Sequence, residues 1–294
     1  MDNIPLWLVA AFSTKLLLYI AFAMSLGGVS AMLMTQRYEP QSLPFLGYAT
    51  WGTVLGLLFA SASFLVKVGS FAEAGLAGMW DDMYIEILWQ SGVGMSYKLR
   101  LIGWFGLLML LIIVRFKASL AKPILMLCFA LSFLIAASFT FSGHTTNQAA
   151  WVRIALVLHI FIAMWWVGFL HPLRLWCESY PTNTLRLLMH EFGKQASLMV
   201  ATLLLAGLGI SYALESNFDN LFTSAHGNVL ILKVSAVAAI LAFAALHKFR
   251  LVPALNSHHS ALALQRSISI EMAIALFILI VTAVLSTLVG PAPI

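Results

Sequence analysis

Histidines in one apolar stretch are the residues whose chemistry the sequence raises first. Residues 142–172 read SGHTTNQAAWVRIALVLHIFIAMWWVGFLHP and contain three, His144, His159 and His171, the last of them at the inner end of the predicted helix. An imidazole inside a membrane span needs a partner, and ionisable residues at that depth are functional candidates by default. Imidazole nitrogen binds both copper and haem iron. His159, joined by His144 if the helices that carry them pack as a hairpin, is therefore a candidate copper or haem ligand, with a structural hydrogen-bonding histidine as the alternative.

Methionines supply a second set of soft ligands. Met79 and Met83 stand four residues apart, around Trp80, Asp81 and Asp82. Thioether sulfur suits Cu(I), and an indole ring attracts a cation to its face. Methionine is also an ordinary filler of apolar surfaces. Met79 and Met83 are accordingly candidate copper ligands or packing residues, and the sequence leaves both interpretations open.

Charged side chains within apolar stretches are a third unusual feature. Lys15, Arg100, Lys233 and Glu271 all fall in segments that read as membrane helices. An unpaired charge near the bilayer centre costs about 2.5–3.5 kcal/mol. Acidic residues in the loops, or an anionic cofactor such as haem, could neutralise the three cations. Glu271 could pair with a basic residue at its own end of the bundle or mark an exit route.

The elements that must position these residues are membrane helices. Hydrophobic residues make up 62% of the 294 residues and charged residues 9%, and the mean hydropathy is +0.96. Soluble domains have about a quarter of their residues charged, and one membrane span needs about 20 apolar residues. We therefore predict an all-α, polytopic helical bundle that forms one transmembrane domain over residues 1–294. The eight predicted spans are residues 6–35, 46–70, 97–116, 122–142, 151–176, 192–214, 227–250 and 267–289.

The longest connection between spans, residues 71–96, has a pattern of its own. Apolar residues recur there at near-helical spacing, opposite Asp81, Asp82 and Glu86. This pattern predicts an amphipathic helix that lies in the membrane interface.

The distribution of basic residues predicts the topology. Most of the 16 lysines and arginines lie in, or beside, the first, third, fifth and seventh connections between spans. By the positive-inside rule these connections face the cytoplasm, which places both termini on the outer side. Topology thus explains the net charge of +5, and nucleic acid is not an expected partner. The sequence has neither a GxxxxGK[ST] loop nor a CxxCH motif, which excludes an ATP-driven pump and c-type haem.

Matching residues in the two halves predict an internal duplication. Leu16, Met24 and Gly28 in the first span correspond to Leu156, Met164 and Gly168 in the fifth, 140 residues later, and Tyr19 takes the place of His159. Arg100 corresponds in the same way to Lys233, with a separation of 133 residues. We predict pseudo-repeats over about 1–145 and 146–294. Because each repeat would contain an even number of spans, the repeats should be parallel.

Short motifs along the chain resemble those of the CopD family, the copper resistance protein D family of bacterial inner-membrane proteins. They are SGHT at 142–145, the pattern His159-x6-Trp166-x-Gly168-x3-Pro172, Gly94-x5-Arg100, LILK at 230–233, RLVPAL at 250–255 and Glu271 in IEMAI.

The resemblance implies an eight-helix protein that handles copper beside the periplasmic copper-binding protein CopC, with His144 and His159 as candidate ligands. The leading hypothesis is an inner-membrane transporter of copper, as Cu(I), rather than an enzyme. The alternative is a haem b membrane electron carrier or oxidoreductase that uses His159 and His144. A third reading is a structural partner that docks CopC without transporting anything.

Overall fold

The fold is a bundle of long helices, as the sequence predicts. The structure, a computed structural model, describes residues 6–36, 43–117, 121–143, 146, 148–214 and 224–289. Eight of the described helices are long and apolar enough to span a membrane, and no strand occurs within the described ranges. The α-helices are α1 (Leu6–Thr35), α2 (Leu43–Ala72), α3 (Asp82–Gln90), α4 (Gly92–Phe116), α5 (Ala121–Ser138), α6 (Ala150–Ser179), α7 (Thr182–Leu214), α8 (Ala225–Leu246) and α9 (His258–Thr287).

The two ends of the bundle are distinguished by the connections that they carry. We call "terminal end" the one at which α1 begins and α9 ends, and "basic end" the one that carries the α1–α2, α4–α5, α6–α7 and α8–α9 connections. These are the ends that the charge distribution predicts to be outer and cytoplasmic, respectively.

Three helices begin five or more residues earlier than hydropathy predicts. The helix predicted over 97–116 begins at Gly92, the one over 192–214 at Thr182, and the one over 267–289 at His258. The added turns of α7 and α9 carry polar side chains, which hydropathy reads as loop. Ser257 caps α9 through a reciprocal side-chain and backbone arrangement with Ser260, and such a capping box starts a helix whatever the hydropathy of its first turns.

The connection over 71–96 is helical, as predicted. A 3-10 helix (Gly75–Trp80) leads into α3, whose N-cap, Asp81, accepts a hydrogen bond from the Tyr84 backbone N–H at 3.1 Å. On α3, Leu88 is buried, while Ile87 is 55% exposed. The segment packs against α2 and α4.

At the centre of the bundle, α1 and α6 pack closely through glycine. A Cβ atom built on Gly168 would lie 1.7 Å from the Ala23 carbonyl oxygen, and one on Gly27 would lie 2.1 Å from the Gly168 backbone. Small residues at a helix crossing let the backbones approach, as membrane helices commonly require. This contact joins the first half of the chain to the second.

The helices around this central pair are packed unequally. In the first half, α2 packs against both α1 and α4, and α4 packs against α5. In the second half, α7 packs against α6 and α8 packs against α9, but the contact between α2 and α4 has no counterpart of similar extent between α7 and α8 in the described residues. Helices α7 and α8 are therefore the least buried spans.

Candidate functional site

His159 lies on α6, where α7 covers it. Its Nδ1 atom is 3.2 Å from the carbonyl oxygen of Leu203 on α7. Because a carbonyl oxygen only accepts hydrogen bonds, Nδ1 must carry the proton in this contact. A neutral imidazole held in this way keeps its Nε2 lone pair free, which is the arrangement typical of histidine ligands to metals.

A glycine on α7 makes this contact possible. A Cβ atom on Gly207 would lie 3.1 Å from Cε1 and 3.3 Å from Nδ1 of His159, tighter than most real Cβ contacts. Glycine at this position thus lets α7 approach the imidazole ring. Gly207 is not among the site residues predicted from the sequence. In the sequence it stands out only as a glycine within an apolar helix.

Lys233 on α8 is the charged group near His159. The two side chains are close enough to interact electrostatically. Among the described residues, Lys233 has no carboxylate partner, since the ion pairs there join Arg174 to Glu178, Lys194 to Glu191 and His247 to Glu271. The structure thus brings together two of the predicted site residues, His159 and Lys233, on α6 and α8.

A second polar cluster joins α1, α4 and α5 of the first half of the chain to the end of α9. Lys15 Nζ donates hydrogen bonds to the Ser286 carbonyl oxygen at 2.8 Å and to Ser286 Oγ at 3.2 Å. The Tyr19 side chain also hydrogen-bonds with that of Ser286. Lys15 and Arg100 interact electrostatically, and so do Arg100 and Tyr19.

Arg100 is fixed by α5. Its Nε donates to Ser138 Oγ at 3.0 Å, and its guanidinium carbon lies 4.3 Å from the centre of the Phe139 ring, in cation–π contact. Lys15 and Arg100 are thus held by hydroxyl, carbonyl and aromatic groups, without a carboxylate partner among the described residues.

Met79 and Met83 lie elsewhere. Met79 belongs to the 3-10 helix and Met83, which is 59% exposed, to α3. Their segment packs against α2 and α4, whereas His159 faces α7. His144 lies outside the described residues. Within the described ranges, no group of three or more His, Cys, Asp or Glu side chains could hold a metal ion.

Glu271 is paired with a histidine that follows α8 directly. Its Oε2 lies 3.0 Å from Nδ1 of His247, and the side chains are only 2% and 13% exposed, respectively. His247 is therefore not a surface histidine. The position of Glu271 is also corrected: since α9 begins at His258, Glu271 lies about 20 Å along the helix from its start. A buried carboxylate in an apolar span needs a partner, so the position of Glu271 in such a span is the sequence feature that indicates a paired side chain.

The family model described as Copper resistance protein D matches residues 186–285, about a third of the chain. The match spans α7 almost entirely, α8 and nearly all of α9, and so includes Leu203, Lys233 and Glu271. Over these residues the chain is similar to the CopD family.

The eight spans make the chain a multi-pass membrane protein, and residues 186–285 are similar to a family described by copper resistance. His159 and Arg100 lie outside the segment matched by the CopD family model. No curated protein and no solved structure matches the chain.

Proposed function

We propose that this protein belongs to the CopD family, that it transports copper across the bacterial inner membrane and that His159 is a ligand on the path. The observation that carries the proposal is the contact between His159 Nδ1 and the Leu203 carbonyl, which leaves Nε2 available inside an apolar span. Imidazole is a good copper ligand.

The limited packing between α7 and α8 supports a path beside His159. The imidazole lies between α6 and α7, and Lys233 of α8 is within electrostatic range. An ion that passes a site must bind there and leave again, so a site with few fixed ligands suits transport better than a closed one. The described residues contain no cluster of three or more His, Cys, Asp or Glu metal ligands, in keeping with a transient site.

The remaining parts of the proposal concern the terminal end. We propose that this end and both termini face the periplasm, that a CopC-like protein delivers copper there, and that the ion is Cu(I). Met83 is exposed on α3, and Met79 is partly exposed just before it, so their thioethers can meet a soft ion arriving from outside the bundle. His144, which lies outside the described residues, is proposed as a second ligand.

The test is copper binding and copper accumulation with His159→Ala. Purified protein is loaded with Cu(I) and its metal content measured, and cells that produce the same variant are analysed for copper. We expect His159→Ala to lower both quantities severalfold. His190→Ala is the matched control, because His190 is an exposed histidine on α7. If binding and accumulation are unchanged in His159→Ala, the proposal is wrong.

Binding of haem b is a second candidate, favoured by Lys233. A neutral His159 can serve as an axial ligand, and the cation of Lys233, without a carboxylate partner in the described part of the chain, suits a haem propionate. Haem would supply one-electron chemistry when bound. A Soret band in protein purified from haem-replete cells, lost in His159→Ala, would support this candidate, and a colourless preparation would oppose it.

A further inference from the structure

Three side chains of α8 and α9 form a hydrogen-bonded chain that copper binding does not use. His247 Nδ1 lies 3.0 Å from Glu271 Oε2, and His247 Nε2 lies 2.7 Å from Ser267 Oγ. Glu271 and Ser267 are buried, at 2% and 8% exposure, and the His247 side chain is 13% exposed. A carboxylate so deeply buried in a membrane span needs this kind of partner.

The chain of hydrogen bonds can hold its imidazole in two protonation states without moving. When His247 is neutral, Nδ1–H donates to the Glu271 carboxylate, and Nε2 accepts from the Ser267 hydroxyl. When His247 is protonated, Nε2–H donates to Ser267 Oγ instead, because a hydroxyl both donates and accepts. Both states are fully hydrogen-bonded, so one proton can enter or leave at the cost of a hydroxyl rotation.

The charge of the pair changes with that proton. With neutral His247, the buried pair carries the single negative charge of Glu271, and protonation of the imidazole makes the pair neutral overall. Proton uptake thus removes a net charge from a region of low dielectric constant. In this step an N–H bond forms at His247 Nε2, an O–H bond of a hydronium ion breaks and leaves water, and the hydrogen bond with Ser267 Oγ reverses its direction.

The other charged groups around the pair belong to the elements packed against α9. Lys248 and Arg250 follow His247 directly, and Lys248 Nζ donates to Ser197 Oγ of α7 at 2.6 Å. From α6, Arg174 Nε donates to Ser269 Oγ at 3.2 Å, and Glu178 accepts a hydrogen bond from Gln265. The charged residue of α1 in the described part is Lys15, which lies at the opposite end, on Ser286. None of these groups takes the place of His247 as the ion-pair partner of Glu271.

The backbone at His247 is unusual as well. Residues His247–Leu251 form a π-helix, closed by a hydrogen bond from the Val252 backbone N–H to the His247 carbonyl at 2.9 Å. Single π-helical turns within membrane or soluble helices are frequent at functional sites. Here the turn lies at the end of α8, next to the basic end, and the His247 side chain is 13% exposed.

We propose that His247, Ser267 and Glu271 form a proton-exchange site at the basic end and that its occupancy is coupled to copper transport. The coupling rests on the proposed function, whereas proton binding by the site does not. A proton gradient across the membrane would supply the driving force, with one protonation and one deprotonation of His247 accompanying each transport cycle.

Two measurements on the full chain test the proposal. In the first, the purified protein is titrated between about pH 5 and 9, a range that brackets the ordinary pKa of histidine, and pH-difference infrared spectra are recorded. In the second, the protein in vesicles is supplied with Cu(I), and copper flux is compared with and without an imposed pH gradient. The variants are Glu271→Gln and His247→Gln. The control is Glu191→Gln, which removes an exposed carboxylate paired with Lys194 on α7.

We expect imidazole or carboxyl bands in the infrared spectra that disappear in both site variants and persist in Glu191→Gln. We expect the pH gradient to change copper flux severalfold in the unmodified protein, and the ratio of the two rates to approach unity in Glu271→Gln. Size-exclusion profiles and circular dichroism check that the variants fold.

Two results would overturn the inference: pH-difference bands that persist in both site variants, or copper flux in the unmodified protein that ignores the pH gradient. Bands that depend on Glu271 in a protein with no copper flux would overturn the proposed function instead, and would leave proton binding by the site supported.

Discussion

The two halves of the bundle hold corresponding polar pairs with different chemistry. In the first half, Tyr19 of α1 interacts with Arg100 of α4, and in the second half, His159 of α6 interacts with Lys233 of α8. Tyr19 and His159 are the residues that the predicted duplication matches, as are Arg100 and Lys233. The first pair has a phenol, which is a poor ligand for copper, and the second has an imidazole, which is a good one.

The surroundings of the two pairs also differ, since the first pair is held by more contacts than the second. Arg100 is fixed by Ser138 and Phe139, and Tyr19 by Ser286, in a part of the bundle where α2 and α4 pack together. His159 has one hydrogen bond, to Leu203, beside the sparsely buried helices α7 and α8. We infer that the first half serves as a rigid support and the second half as the part that binds and releases the ion.

The largest effect is expected where the halves meet. In Gly168→Ala, the new methyl group would overlap the Ala23 carbonyl oxygen, so α1 and α6 must separate. We expect a loss of about 3 kcal/mol of stability, at the upper end for an overpacked interface, with lower yield of folded protein. Thermal unfolding in detergent measures the change. Gly193→Ala is the control, because a Cβ atom there meets nothing within 4 Å. Equal stability of the two variants would contradict the close α1–α6 contact.

The next effect distinguishes the two cations. Arg100→Gln removes a guanidinium that is hydrogen-bonded to Ser138 and lies over Phe139. Hydrogen bonds to charged groups contribute about 1.5–3 kcal/mol, so we expect the melting temperature to fall clearly. Lys233→Gln, the corresponding change in the second half, should leave the melting temperature nearly unchanged and instead alter copper binding. If Lys233→Gln is the more destabilising of the two, the distinction between support and binding half is wrong.

A smaller effect is expected from the helix that covers His159. Gly207→Ala places a methyl group 3.1 Å from Cε1 of the imidazole, which must shift by a few tenths of an ångström. We expect copper affinity to change by a fewfold, since the Leu203 hydrogen bond is strained while the ligand itself remains. A competitive Cu(I) titration measures the change. Gly209→Ala serves as the control, because its methyl group would make an ordinary contact with Trp151, at 3.4 Å. Identical affinities in the two variants would show that α7 does not position His159.

The sequence predicts the architecture well, because hydropathy reports membrane spans directly. All eight predicted spans are present, and the connection over 71–96 contains two short helices, whereas its place in the membrane interface stays a prediction. The predicted starts of α7 and α9 were wrong for a physical reason. The first turns of both helices extend beyond the apolar run, and α9 begins where Ser257 caps it rather than where apolar residues begin.

The candidate site could be predicted only in part. His159, Lys233 and Glu271 can be recognised as candidates from the sequence because they are ionisable residues within apolar helices. Their partners cannot, because these depend on the register between neighbouring helices. The pairing of His247 with Glu271 needs the alignment of α8 against α9, and the contact of His159 with Leu203 needs that of α6 against α7. Apolar helices carry little signal for register, because many alignments bury similar surfaces. The internal duplication and the metal ligands stay predictions.

The central claim is that the second half binds copper through His159, whereas Tyr19 in the first half does not. The amount of copper bound after substitution of each residue tests this claim most directly. Purified His159→Tyr and Tyr19→Phe proteins are loaded with Cu(I), and the copper bound per chain is measured beside the unmodified protein. We predict that His159→Tyr, which gives the second half the phenol of the first, loses most of the bound copper, and that Tyr19→Phe keeps it. Full copper binding by His159→Tyr, or its loss in Tyr19→Phe alone, would contradict the account.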